Sequence, residues 1–396
     1  MKTDYDPFST EAMTDPHDLY RQLRAEGCPH FVEKRKAWAL TRFDDLRTAS
    51  LTNRWLDFTA GQTPAQLMLG EPSPHTFMTM NAPENRKWRS VLEPFYAASA
   101  VDQEVPRLTA LIEKEFATLR GRPTLDVYGE FANQVMCINA GYNLGMDESE
   151  ARHARELIDR IILNRLPGQE GASTPESQQA VGELAGILMA HVQKLRDDPQ
   201  AGGPHGKALR DAVIDGQSLT DTDLFNYLFS LLVVGSETTP MSVAATMYYL
   251  AHHPEQKARV LADWALVMPA FREALRFDQP TNMLARRAAM DFELNGCPVK
   301  QGDNLLFVYA SANRDEARFA NSDQFDIARD NPGDMSFGVG AHFCLGAQLA
   351  LKASEIMLNL MLDAMHDWDV VEEDCERAFS EHLNGFTKMV IRPVWK

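Results

Sequence analysis

The chain has 396 residues, 44% of them hydrophobic and 24% charged, a balance that excludes a disordered polypeptide and leaves room for a core that encloses a cofactor. A formal charge of −17 at pH 7 argues against a nucleic-acid binder or an anionic-membrane binder, since both want basic surface. The five cysteines are scattered, with no CxxC pair, which speaks against a disulfide framework or a cysteine zinc site and for a reducing cytoplasm.

In chain order, the N-terminal "MKTDYDPFSTEAMTDPHDLYRQL" lacks the apolar stretch of a secretion signal. "DPHDLYRQLRAEG" predicts a helix with Asp15 as N-cap, Pro16 in the first turn and Gly27 as its stop. "AWALTRF", around Trp38, predicts a strand. Apolar residues at three- and four-residue spacing predict helices over "VPRLTALIEKEFATLRG" and "AVGELAGILMAHVQKLRDD". Gln169 to Thr174 and Asp197 to Pro204 are polar connections. A long helix is expected from about Asp221 to His253. Its apolar run, Leu231 to Val234, is too short and too polar in its surroundings for a membrane span. "FELNGCPVKQGDNLLFVYASANRD" predicts a hairpin turned at Asn295-Gly296, followed by a helix from about Leu345 to Met365 and a strand over "FTKMVIRPVW". The expectation is a mainly α protein with small β-sheets, one domain over residues 1–396.

Four segments hold residues that such elements do not need. "FGVGAHFCLG", Phe337 to Gly346, sets one cysteine among glycines ahead of a helix. Glycine lets backbone approach a flat ligand, and a helix N-terminus favours a thiolate, which together suit a thiolate ligand to iron. Standing alone, such a cysteine would be a buried structural thiol. "FREALR" places Glu273 and Arg276 three apart on one helix face. "LLVVGSETTP" puts Gly, Ser, Glu and two Thr in the middle of an apolar helix, where hydroxyls can bond back to carbonyls and open a groove. "MNAPENRKWRSVLEPF" carries a basic run.

Together, in this order and spacing, the four segments resemble the cytochrome P450 superfamily, from about Tyr5 to the C-terminus. The resemblance implies the cytochrome P450 fold, with a long distal helix and a proximal cysteine loop sandwiching haem b. It implies Cys344 as the axial thiolate on the metal, Phe337 beside the sulfur, Gly338 and Gly346 making way for the porphyrin, and His342, Arg286 and Arg89 at the propionates. Asn85 stands where a histidine is frequent, so a weaker contact is expected there. Arg287 is an extra cation beside Arg286. Arg329 would join Glu273 and Arg276 in a buried network bracing the cysteine loop. On the distal side, Gly235 would leave room for dioxygen. Glu237 and Thr238 would be the catalytic acid–alcohol pair, since cleaving O–O needs protons delivered in order with bulk water kept out.

By family position the substrate pocket draws on residues 54–78, 161–174, 231–234, 281–284 and 384–386. The candidates are Leu67, Met68, Leu69, Phe77, Met78, Leu163, Val233, Val234, Met283, Leu284 and Phe386, with Asn282 and Asn384 to orient a hydroxyl or carbonyl. Methionine-rich walls suit a medium-sized hydrophobic substrate. The expected activity is insertion of one oxygen atom from O2, by hydroxylation. Electrons are expected from NAD(P)H through a separate ferredoxin and ferredoxin reductase, docking near Arg86, Lys87 and Arg89. The alternatives are epoxidation, dealkylation or oxidative coupling, or a haem sensor or carrier without turnover, which would have no use for the acid–alcohol pair. A cytoplasmic monomer is expected, binding neither membrane nor nucleic acid.

Overall fold

The computed structural model describes residues 3–27, 29–71, 73–162, 174–330 and 333–396. Cys28, Leu163 and the connection 169–173 therefore lie outside the described residues. Helices carry the architecture, chiefly Ala98–Ala117, Asn133–Leu144, Glu148–Ile162, Pro175–Asp197, Asp221–His252, Val267–Phe277 and Ala347–Ala364.

The long helix Asp221–His252 starts at a capping box in which Thr220 and Asp223 satisfy each other's backbone N–H. Among the described residues it alone is long and apolar enough to cross a membrane, and most of its apolar length is buried inside the protein. It packs against Asn133–Leu144, Val267–Phe277 and the π-helical turn Val127–Ala132. Its two halves belong to different cores. Leu224, Tyr227, Leu228 and Leu232 pack with Leu157, Leu184 and Leu188. Met241, Val243 and Ala244 pack with Phe131, Phe271, Met357 and Trp368. The polar stretch Gly235–Thr239 falls at the seam between the cores, where polar side chains do not displace packing. Pro240 lies inside the helix and has no N–H for the Ser236 carbonyl, and Ser242 Oγ donates to the Thr238 carbonyl at 2.9 Å.

A five-stranded sheet runs in the order His30–Val32, Ala37–Leu40, Asn304–Val308, Met283–Ala288, Leu56–Asp57. Its register sets Arg286 opposite Leu305 and Leu284 opposite Phe307. The hairpin Phe292–Leu294/Cys297–Val299 turns at Asn295 (φ 50°) and Gly296 (φ 78°), both left-handed as a two-residue turn requires. The C-terminal segment expected as one strand is two, Phe386–Lys388 and Val390–Trp395, in separate sheets. Two helix starts also move. Pro16, not Asp15, occupies the cap of His17–Ala25. The helix expected to begin at Val105 begins at Ala98, with Pro106 inside it. Cys297 is disulfide-bonded, although the scattered cysteines spoke against a disulfide framework. Cys137, Cys344 and Cys375 are free.

Candidate functional site

The cysteine loop is shaped by its own backbone. Cys344 N–H donates to the Phe337 carbonyl at 2.9 Å, Phe343 N–H to Gly340 at 3.1 Å and Gly338 N–H to Met335 at 2.9 Å. Gly338 (φ 66°) and Gly340 (φ 81°) are left-handed, and a Cβ at Gly340 would stand 2.7 Å from the Ser50 carbonyl oxygen, so glycine is required there. Gly346 is different: it precedes the helix Ala347–Ala364 with φ −82°. Burial pushes the Cys344 thiol up, with the Gly346 N–H and the Arg89 charge pulling the other way. A thiolate in this pocket therefore wants a cation directly against the sulfur.

Behind the loop lies a buried ion network. Arg276, with no side-chain exposure, donates from Nε and Nη2 to both oxygens of Glu273 at 2.8 Å, a bidentate pairing. Arg329 Nε adds a contact to Glu273 Oε1 at 3.1 Å. The two guanidiniums spend their remaining donors on the carbonyls of Asn313, Ala320, Asn321, Ser322 and Gln324. Asn313 passes the bracing on: its Oδ1 accepts Met335 N–H at 2.7 Å and its Nδ2 donates to Ser336 Oγ at 3.2 Å.

The loop and the long helix face one cavity of about 890 Å³, lined by Phe337, Gly338, Cys344 and Gly346 from the loop and by Val233, Val234, Gly235, Glu237 and Thr238 from the helix. Val234 is 48% exposed in mid-helix because it opens onto this space. Thr238 Oγ1 has no hydrogen-bond partner among the described residues. Glu237 is tied down from behind: Arg155 Nη1 donates to its Oε1 and Tyr128 Oη lies 3.3 Å from its Oε2. Arg155 also donates to Ser236 Oγ at 3.1 Å and from Nε to Asp159 at 3.2 Å. Glu237 and Arg155 are 3% and 2% exposed, whereas Asp159 is 36% exposed. The network thus runs from the cavity to the surface. Burial pushes the Asp159 carboxyl up in spite of Arg155, and burial followed by the Glu237 charge pushes the Tyr128 hydroxyl up.

At another edge of the cavity, positive charge is weakly countered. Arg286 is buried, donates only to the carbonyls of Gln62 and Ala285, lies over the Phe58 ring at 4.6 Å and makes no ion pair among the described residues. Burial lowers its affinity for the proton. Arg89 donates to the Phe343 carbonyl at 2.8 Å and reaches Glu93 only at 3.5 Å. His342 lines the cavity but is neutral. Its ring stacks on Phe58 at 3.8 Å, its Nε2 is 3.4 Å from Asn85 Nδ2, and burial with Arg286 and Arg89 pushes its pKa down to about 3. Of the expected propionate set, Asn85 does not reach the cavity; it is fully buried behind His342 and the Ala341 carbonyl. A flat apolar group with carboxylates at one edge and a metal cation at its centre satisfies Arg286, the loosely paired Arg89 and the buried thiolate, so the residues fit haem.

The expected pocket divides. Phe77, Met78, Val233, Val234 and Leu284 line the cavity. Leu67 and Met68 line a separate cleft of about 320 Å³ with Lys34, Lys36 and Arg287. Leu69 packs beside Phe8 and Met13. Met283 is buried beneath the sheet beside Tyr5. Phe386 is buried against Tyr248 at 4.7 Å. These five are off the cavity because strand alternation or core packing turns them away. Asn282 bonds Tyr20 Oη at 2.8 Å and the Glu381 carbonyl at 2.9 Å, and Asn384 bonds Asp278 at 3.0 Å, so neither amide points to a ligand. Of the basic run, Lys87 is paired with Asp215 and Glu84. Tyr128, Arg155, Asp159 and His382 were missed. Arg155 stands 82 residues from Glu237, and nothing in either local segment links them.

The family model described as "Cytochrome P450" matches residues 170–389, more than half of the chain. The "Putative cytochrome P450 123" of Mycobacterium tuberculosis is 28% identical over 395 residues, covering 98% of this chain and 96% of that protein. The "Vitamin D(3) 25-hydroxylase" of Pseudonocardia autotrophica is 28% identical over 367 residues, covering 90% and 87%. The solved cytochrome P450 CYP109Q5 from Chondromyces apiculatus superposes with a TM-score of 0.86 at 24% identity, covering 100% of both chains.

Proposed function

The chain belongs to the cytochrome P450 family and is a monooxygenase, and we propose that it hydroxylates a medium-sized hydrophobic organic molecule in the cytoplasm, acting as a monomer. The observation that carries this reading is one largely apolar cavity bounded by a buried thiol on one side and by Gly235, Thr238 and Glu237 on the other. When bound, haem b supplies the activation of O2. Cys344 would hold its iron, and Arg286 and Arg89 would answer its carboxylates.

The chain's own residues then have separable tasks. Gly235, which lines the cavity without a side chain, keeps the helix surface open there. Thr238 Oγ1 can both accept and donate, which suits the last position in a proton relay. Glu237 lies behind it, and Arg155, which keeps its own proton, holds both Glu237 and Asp159, the carboxylate that meets solvent. The two cores on either side of the helix keep bulk water away from this route. Electrons would come from NAD(P)H through a ferredoxin and its reductase.

The test is a screen of hydrophobic ligands for the low-to-high-spin shift of the Soret band, followed by turnover under isotopically labelled dioxygen. The expected product carries one labelled hydroxyl oxygen. A dealkylated, epoxidised or coupled product, or reproducible spin shifts without turnover, would overturn hydroxylation.

A further inference from the structure

With Asn282 and Asn384 occupied elsewhere, the polar function on that wall of the cavity falls to a residue outside the expected set. His382 lies in the turn between strands Glu376–Arg377 and Phe386–Lys388, and its ring lines the cavity. One ring nitrogen is committed: Nδ1 is 3.2 Å from Ser380 Oγ and 3.4 Å from Glu381 Oε1. Ser380 Oγ already accepts the N–H groups of His382 and Leu383 at 3.3 and 3.2 Å, so its own hydrogen can go to Nδ1. In that arrangement the neutral ring carries its hydrogen on Nε2. Nε2 has no hydrogen-bond partner among the described residues.

The turn that presents this donor is clamped. Arg377 donates to both oxygens of Asp278 at 2.6 and 3.1 Å, and Asn384 N–H donates to the Pro280 carbonyl at 2.8 Å. Leu383 bridges Thr281, and a Cβ at Gly385 would stand 3.1 Å from Met241 of the long helix. A donor fixed before binding loses little freedom when it meets a ligand. An unmet donor on an apolar wall penalises ligands that cannot use it.

We propose that His382 Nε2–H is the polar anchor of the substrate chamber, and that the substrate is a hydrophobic molecule bearing an acceptor oxygen such as a ketone. The proposal rests on the reading above in taking this cavity as the place where substrate binds. Its test uses the holoenzyme and matched probes, cyclododecane and cyclododecanone with their ring homologues, which differ by one carbonyl oxygen. The expected result is that the wild type binds the ketones about tenfold more tightly than the hydrocarbons. His382→Leu should lose that preference without weakening hydrocarbon binding, and His382→Gln, which keeps an N–H donor at similar reach, should restore much of it. No ketone preference in the wild type, or the same preference in His382→Leu, overturns the anchor. Affinities are read both from the Soret shift and from ligand-induced thermal shifts. A failure of haem-thiolate ligation would appear in the carbon monoxide spectrum of the wild type, independently of the ketone-to-hydrocarbon ratio.

Discussion

Two buried glutamate–arginine pairs do different work in this protein. Glu273 and Arg276 are three residues apart on one helix, joined by Arg329 and surrounded by carbonyls, and none of them lines the cavity. Glu237 and Arg155 are equally buried, yet Glu237 lines the cavity and Arg155 leads on to a half-exposed carboxylate. The first pair closes on itself and can only brace. The second is open at both ends, which is the form a proton route needs. Burial and pairing alone therefore do not tell a strut from a relay; what does is where the unpaired ends lead.

The comparison can be broken or sharpened by substitution. Glu273→Ala leaves Arg276 and Arg329 without a counter-charge in the interior, at an expected cost of about 3–5 kcal/mol, read as a lower denaturant midpoint and early loss of haem. A cost near that of a surface pair would remove the brace. Glu237→Gln keeps the shape and leaves Arg155 its partner Asp159. Product formed per NAD(P)H should fall about tenfold or more, with a smaller loss of stability than Glu273→Ala; unaltered coupling would make Glu237 a second strut. Thr238→Ala should divert several-fold more reducing equivalents into hydrogen peroxide with little effect on unfolding, checked by peroxide assay against NAD(P)H consumption.

The smallest effect concerns the clamp of the His382 turn. Asp278 is buried; Arg377, by charge and hydrogen bonding, outweighs burial and holds its carboxyl below the ordinary value. A depressed carboxylate stabilises the fold above its unfolded pKa of about 4, and that contribution is lost as pH falls through the lower folded value. Asp278→Asn should remove this acid-sensitive contribution, seen as a flatter fall of the unfolding midpoint below about pH 4. An unchanged acid limb would remove Asp278 from the clamp.

The same contrast explains what the sequence could disclose. The cysteine loop, the E-x-x-R pair and the polar break in the long helix are local patterns, each imposed by backbone conformation or by three-residue helix spacing, so they could be read in place. Glu237's partners could not, because Tyr128 and Arg155 come from other helices and meet it only after packing. The pocket failed in part for a related reason. Met283 and Leu284 are neighbours on one strand, and alternation sends the second to the cavity and the first to the core. A one-residue difference in facing is invisible until the sheet is assembled. Asn282 and Asn384 looked available because their partners, Tyr20 and Asp278, are distant in sequence.

The central claim is that Cys344, braced from behind and facing the distal groove, binds haem iron as a thiolate. The most direct measurement is the carbon monoxide difference spectrum of the reduced, folded protein, compared with that of Cys344→Ala. The predicted result is the red-shifted Soret band of a thiolate-ligated haem in the wild type and its absence in the variant. A short-wavelength band in the folded wild type, or a red-shifted band that survives in Cys344→Ala, would contradict it.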